Sequence, residues 1–200
     1  MAGRITKMLL VLLVMLLAAG AALLTGGHLT ALADNTLTGL HWLAAAATGQ
    51  VLGSMTGGIA YPVGLIGSAA CIGVFLRLNL RRPGVALLAT GFACNAFVVA
   101  LNGAMPVSVA TLTQAGIEGF PEDPRHELAD ASTRLPWLGD VVPVALPGFG
   151  QAVSPGDVLI AAGAGLLLYA GMGGTGRIPV EPAPSWQDLE PKAAPDHPAK

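Results

Sequence analysis

The chain has 200 residues, of which 53% are hydrophobic and only 11% charged, with a formal net charge of -2 and a mean hydropathy of +0.64. Soluble globular domains carry about 25% charged residues, and a domain of this size still exposes much of its surface to water. So few charges exclude that class. A near-neutral balance also excludes nucleic-acid binding, which needs a basic footprint. The expected fold class is an all-α integral membrane protein: one polytopic unit over residues 1–176, solvated by the lipid bilayer.

A spanning helix needs about 20 mostly apolar residues, with a range of about 17 to 25. Five segments meet that requirement, at about 8–24, 37–55, 59–76, 84–102 and 157–172. The first, "MLLVLLVMLLAAGAALL", follows Arg4 and Lys7. It reads as a retained helix, because its apolar run exceeds the roughly 7 to 15 residues of a signal-peptide core; cleavage at "AAGAA" is the alternative. The second and third are separated only by "TGG" and should form a hairpin. The turn "RLNLRRP" carries Arg77, Arg81 and Arg82, and Arg177 follows the last segment. With five spans these four fall on one side and Arg4 and Lys7 on the other, which places the arginine turn and the C-terminus in the cytoplasm. The region 105–155 is then a long extracytoplasmic loop. Residues 177–200 contain six prolines and little to bury, so a disordered tail is expected.

Helices in lipid associate through small residues and interhelical hydrogen bonds. In the second segment His41, Ala45, Gly49, Gly53 and Gly57 recur every four residues, one continuous small face. Gly64 and Ser68 offer the same spacing in the third, so these two helices should pack closely. His41, beside Trp42 and near the outer end, reads as an interfacial anchor. The fourth segment places Asn95 and Asn102 seven apart on one face. An unpaired amide in hydrocarbon costs several kcal/mol, so both must meet protein or a wet cavity. They are either interhelical glue or the lining of a polar pocket. Cys71 and Cys94 lie at depths about five residues, or roughly 7 Å, apart, which argues against a disulfide.

The loop has two halves. "QAGIEGFPEDPRHELADA" is polar and acidic; the stretch 133–147 is apolar again but too rich in proline to span. Its Trp137 and Leu138 suit headgroup depth. Pro136 and Pro143 would hold it extended. Gly139 with Asp140 suggests a turn in which the carboxylate bonds nearby amides. Arg134, Pro136, Trp137, Leu138 and Gly139 are the candidate lid over the outer helix ends. The last segment opens with "SPGD", where Ser154, Pro155 and Asp157 fit N-cap, N1 and N3 of a capping box. His126 and Asp130, four apart, could share a helix face and join Asp140 and Asp157 in a metal or acid/base cluster. No HExxH or nucleophile-elbow pattern accompanies them, so the expectation is no metal, no cofactor and no catalytic group.

Taken together, "NGAMPVS" at 102–108, "TRLPWLGD" at 133–140 and "SPGDVLI" at 154–160, with "GGHL" at 26–29, Asn95 and His126, resemble an uncharacterised family of small bacterial polytopic membrane proteins. The resemblance covers the chain up to about Met172. It implies a helical bundle in a bacterial inner membrane and no known activity. That family usually carries a basic loop after its first helix; residues 25–36 here contain no Lys or Arg. Two roles remain open. The first is a non-catalytic accessory or structural membrane protein, acting through a helix partner or as a homo-oligomer. The second binds or transports a small molecule or lipid in a pocket lined by Asn95, Asn102, Asp140 and Asp157 under the 133–147 segment.

Overall fold

A computed structural model of the chain describes residues 2–56, 60–117, 119, 125–146 and 149–173. The tail 177–200, Gly57 of the small-residue face, and Pro147 lie outside these. The described residues are mostly helical. In chain order they form α1 (Ala2–Leu24), α2 (Ala31–Asp34), α3 (Leu40–Thr56), α4 (Ala60–Asn79), α5 (Val85–Asn102), β1 (Met105–Val107), α6 (Val109–Gln114), β2 (His126–Leu128), β3 (Val142–Leu146), β4 (Phe149–Val153) and α7 (Pro155–Gly171). A 3-10 turn at Pro136–Leu138 precedes β3.

Each boundary has a local cause. α3 starts at Leu40, three residues later than the apolar run, because Gly39 adopts φ +77° just before it. α4 runs on to Asn79, whose amide closes its end: Nδ2 donates to the carbonyls of Phe75 and Thr38, at 2.8 Å each, and Oδ1 accepts the Thr38 N–H at 2.9 Å. α5 is framed by Gly84 and Gly103, both in the left-handed region, and the Gly103 N–H bonds the Val99 carbonyl. That is the glycine stop of a helix C-terminus. α7 carries the capping box that "SPGD" announces, with both reciprocal bonds made.

The chain is not all-α, and the region 105–155 is not a plain loop. β1 pairs in parallel with β2, Met105 opposite His126. β3 and β4 form an antiparallel hairpin, Val142 opposite Val153. Backbone leaving a helix end must find hydrogen-bond partners. Strands of three to five residues interrupted by Pro106 and Pro143 leave almost no alternating pattern to read.

α7 lies between α1 and α5, and α3 packs on α4. The α3–α4 pair meets α5 through Phe75, Leu76 and Val85, with Trp42, Leu88, Phe92 and Leu167 around them. α5 and α7 approach each other closely. A Cβ on Gly163 would stand 2.7 Å from the Gly84 carbonyl oxygen, and one on Gly156 would stand 2.7 Å from the Gly91 oxygen. Glycines seven apart on each helix therefore meet pairwise, two turns apart. At Gly49 of α3 there is more room: a Cβ there would sit 3.4 Å from the Gly64 oxygen. Cys71 and Cys94 are free thiols.

The two ends of the bundle differ. One gathers the turn after α1, the turn after α4 and the end of α7. There Thr25 bonds Tyr169 at 3.1 Å, Asn35 donates to the Gly171 carbonyl at 3.0 Å, and Arg82 donates to the Thr36 carbonyl at 2.8 Å. His41 lies at this arginine-bearing end, at the start of α3, and not at the end where the long 103–154 region lies as expected; its ring stands 5.4 Å from that of Trp42. Val85–Asn102 is the one described helix long and apolar enough, by length and composition, to cross a membrane; Leu10–Leu24, Ile66–Leu78 and Pro155–Gly171 are shorter apolar helices.

The glycine seam gives a graded prediction. A methyl at Gly163 must displace backbone, so Gly163→Ala should cost about 1–3 kcal/mol. Gly49→Ala, at ordinary contact distance, should cost well under about 1 kcal/mol. Unfolding followed by circular dichroism in detergent compares them; equal tolerance would contradict the seam.

Candidate functional site

The end of the bundle opposite the arginines carries most of the singled-out residues. Asn95 sits one turn after Gly91 on the α5 face that meets α7. Its Nδ2 donates to Asp157 Oδ1 at 2.7 Å, and its Oδ1 accepts the Ser154 hydroxyl at 2.8 Å. Ser154 Oγ in turn accepts the Asp157 N–H at 2.9 Å, and Asp157 Oδ2 accepts the Ser154 N–H at 3.2 Å. The arrangement follows from donor inventory. A carboxylate only accepts, so the amide nitrogen faces Asp157; the hydroxyl proton left over after capping then goes to the amide oxygen. Ser154 is fully buried. The capping box of α7 and the amide of α5 are one closed circuit.

Asn102, at the last position of α5, reaches the proline-bearing segment instead. Its Oδ1 accepts the Arg134 N–H at 2.8 Å, and its Nδ2 donates to the Arg134 carbonyl at 2.9 Å and to the Val98 carbonyl at 2.8 Å. A side-chain amide presents the donor and acceptor that a neighbouring strand would present. Beyond this clamp the backbone turns sharply. Leu135 is the one non-glycine residue with positive φ among the described residues, at +51°, a conformation that L-residues adopt at a cost. Pro136 opens the 3-10 turn rather than holding the chain extended; its fixed φ suits a first helical position. Trp137 is 62% exposed, and Leu138 is half-buried.

Gly139 is buried against Pro106, whose carbonyl oxygen a Cβ there would strike. Asp140 makes no turn. It lies extended beside β1, its N–H donating to the Pro106 carbonyl at 2.8 Å and its carbonyl accepting the Ser108 N–H at 3.2 Å. Its carboxylate, in a residue only 2% exposed, stands 3.6 Å from His126 Nε2. His126 lies on a strand, not on a helix shared with Asp130. Asp130 caps its own turn, accepting the Ser132 N–H at 2.8 Å and hydroxyl at 2.7 Å. These bonds from Ser132 hold its carboxyl below the usual carboxylate range.

The four acidic and histidine candidates therefore fall into three places: His126 with Asp140 across β1, Asp130 on its turn, and Asp157 at the head of α7. No group of three or more His, Cys, Asp or Glu among the described residues could hold a metal ion. Two features of the region are not legible in the sequence. Ser154 is recognisable as a cap, but nothing local shows that its proton belongs to Asn95. Gln151 on β4 is 3% exposed with neither amide atom hydrogen-bonded; a strand of five residues gives no cue to that burial.

The circuit around Asn95 makes a charge-swap test available. Asn95→Asp sets a second carboxylate beside Asp157 and should cost about 1–3 kcal/mol. Adding Asp157→Asn restores one donor and one carboxylate in exchanged places, and should recover most of the loss in a double-mutant cycle. Independent, additive losses would refute the contact. Separately, Asn102→Ala should raise amide exchange at residues 133–140 while α5 keeps its protection. Unchanged exchange there would show that Asn102 does not hold the turn.

Among curated proteins and among solved structures, none matches this chain. One family model does, and it spans most of the sequence: residues 4–169 place the chain in DUF5317, a family of unknown function.

Proposed function

We propose that this protein is a multi-pass integral membrane protein with a non-catalytic, accessory or structural role. The observation that carries the reading is the outward face of its long helices. Leu16 on α1 is 71% exposed, Met55 on α3 78% and Ile66 on α4 70%. Leu17, Val51, Leu52, Val63 and Phe97 are also exposed. Apolar surface on this scale, spread over four helices, matches hydrocarbon and not water. α5 supplies the clearest span; α1, α3, α4 and α7 run beside it in the proposed bundle.

The amides favour the structural role over a polar pocket. Asn95 and Asn102 both bond directly to neighbouring elements. Such bonds contribute about 0.6 to 2 kcal/mol each between helices in lipid. Orientation follows from the arginines: Arg77, Arg81 and Arg82 share one end, which would face the cytoplasm. The Trp137 turn, β1 and the β3–β4 hairpin would then cap the extracytoplasmic end.

Two measurements test this. The chain should pellet with membranes and resist alkaline carbonate extraction. In a background carrying Cys71→Ala and Cys94→Ala, Gly119→Cys should react with an impermeant maleimide from outside intact cells, and Arg81→Cys only after lysis. Reaction of Arg81→Cys alone in intact cells would reverse the orientation. Recovery of the folded chain in detergent-free buffer would end the membrane reading.

A further inference from the structure

Two fasteners of different chemistry hold the 133–140 turn. At its start Asn102 takes both polar groups of the Arg134 backbone, at 2.8 and 2.9 Å. Neither a side-chain amide nor a backbone group titrates in the neutral range. At its end the Asp140 backbone is bonded to Pro106 and Ser108. The Asp140 carboxylate reaches past β1 to His126 Nε2 on β2, 3.6 Å away. Between the two fasteners Leu135 holds φ +51°, a conformation that persists only while its surroundings over-determine it.

The second fastener depends on charge. At 3.6 Å the contact is within ion-pair range and too long for a hydrogen bond. A neutral imidazole offers little across such a gap, whereas an imidazolium offers Coulomb attraction. The Asp140 side chain is 2% exposed and that of His126 24%. Water therefore screens the pair incompletely, yet it still reaches the ring to exchange a proton. The surroundings add no other group that changes charge in the neutral range. β1 brings Met105, Pro106 and Val107, and α6 and β3 carry no ionisable side chain. Arg125 and Glu127 flank His126 in sequence, and strand alternation sends Glu127 to the opposite face. On the turn itself the Asp130 carboxylate is bonded to Ser132 and Thr133, and Arg134 follows them. Arginine stays charged throughout, and carboxylates titrate well below neutrality.

We propose that His126 and Asp140 form a proton-operated latch on the 133–140 turn. With the imidazole protonated the turn is fastened to β1 and β2; with it neutral the turn opens at its Asp140 end. An imidazole beside a carboxylate keeps its proton to higher pH than a free one, whose ordinary value is about 6.5. The stabilisation is complete below that value and is lost as pH rises past it. Loss of this counter-charge draws the buried carboxylate toward water, releases Leu135 from its strained conformation and moves the exposed Trp137 with the turn. Under the orientation proposed above, the latch reads the pH outside the cell.

Hydrogen exchange of the full chain in detergent tests this, with amide rates corrected for the intrinsic effect of pH. Between about pH 5.5 and about pH 8, opening of residues 135–140 should rise about tenfold, the factor that one unit of differential proton affinity represents. α5 should keep its protection at both. His126→Gln should leave the turn at the open level at both pH values. His126→Arg supplies a fixed cation and should hold the closed level at both; it serves if the Gln variant loses its circular dichroism signal. A wild type without the step, a step that survives His126→Gln, or an Arg variant that opens as the wild type does would overturn the proposal. A reversed orientation appears differently, in the maleimide labelling of Gly119→Cys and Arg81→Cys. It would change which compartment the latch reads and leave the exchange step intact.

Discussion

The contact between α5 and α7 governs the arrangement of everything around it. Gly84 and Gly91 meet Gly163 and Gly156, so the two backbones come close at these positions. Such proximity is what lets a short Asn side chain on α5 reach the N-terminal cap of α7. Ser154, at the head of α7, is fully buried. A helix start with four unpaired N–H groups in a dry place is costly. Asn95, Ser154 and Asp157 answer that cost together: each hydrogen-bonding group that the cap exposes to the seam is met by one from the facing helix. Packing and polarity thus depend on one another at this point. Without the glycines the amide would stand too far away, and without the amide the cap would carry an unmet hydroxyl.

The 3-10 turn is organised by the same logic applied to backbone. Asn102 imitates a strand edge and fixes both polar groups of Arg134. That clamp makes the left-handed Leu135 tolerable, since a strained residue persists only where its surroundings over-determine it. The other side of the turn is set by Gly139 against Pro106 and by Asp140 joined to β1. Asp140 and His126 then face each other across β1 at 3.6 Å, which ties the turn to the polar half of the region. The segment is held at both ends by hydrogen bonds, and its apolar middle, Trp137 and Leu138, is left to whatever lies outside the helices.

Much of the helical layout was legible in the sequence because it follows from long apolar runs. The ends moved by a few residues for reasons that hydropathy does not encode: the positive φ of Gly39, and the Asn79 bonds that extend α4. Gly84 and Gly91, with Gly156 and Gly163, carry a seven-residue signature that is visible in the chain. It was obscured by the denser four-residue pattern of α3, where a Cβ on Gly49 would meet the Gly64 oxygen only at ordinary contact distance. Asn95 and Asn102 could be recognised as groups in need of partners, since the cost of a bare amide is general. Their partners could not, because Ser154, Asp157 and Arg134 lie from about thirty to about sixty residues further on. The strands were hidden for a related reason: β1 pairs with a segment some twenty residues away, and neither partner is long enough to alternate.

Polar groups at both ends of the bundle are largely committed to holding backbone in place. Asn79 and Arg82 close the arginine end onto the 36–38 segment; Asn95, Asn102, Ser154 and Asp157 close the other. A group whose lone pairs and protons are all engaged by the fold has little left with which to bind or transform a solute, and freeing it would open the helix end it secures. The surfaces that remain uncommitted are of another kind. They are the outward apolar side chains of the long helices and the face of α5 beside Phe97. Such surfaces offer hydrocarbon and almost no hydrogen-bonding group, so their match in polarity is the lipid tail that the proposed bilayer setting supplies.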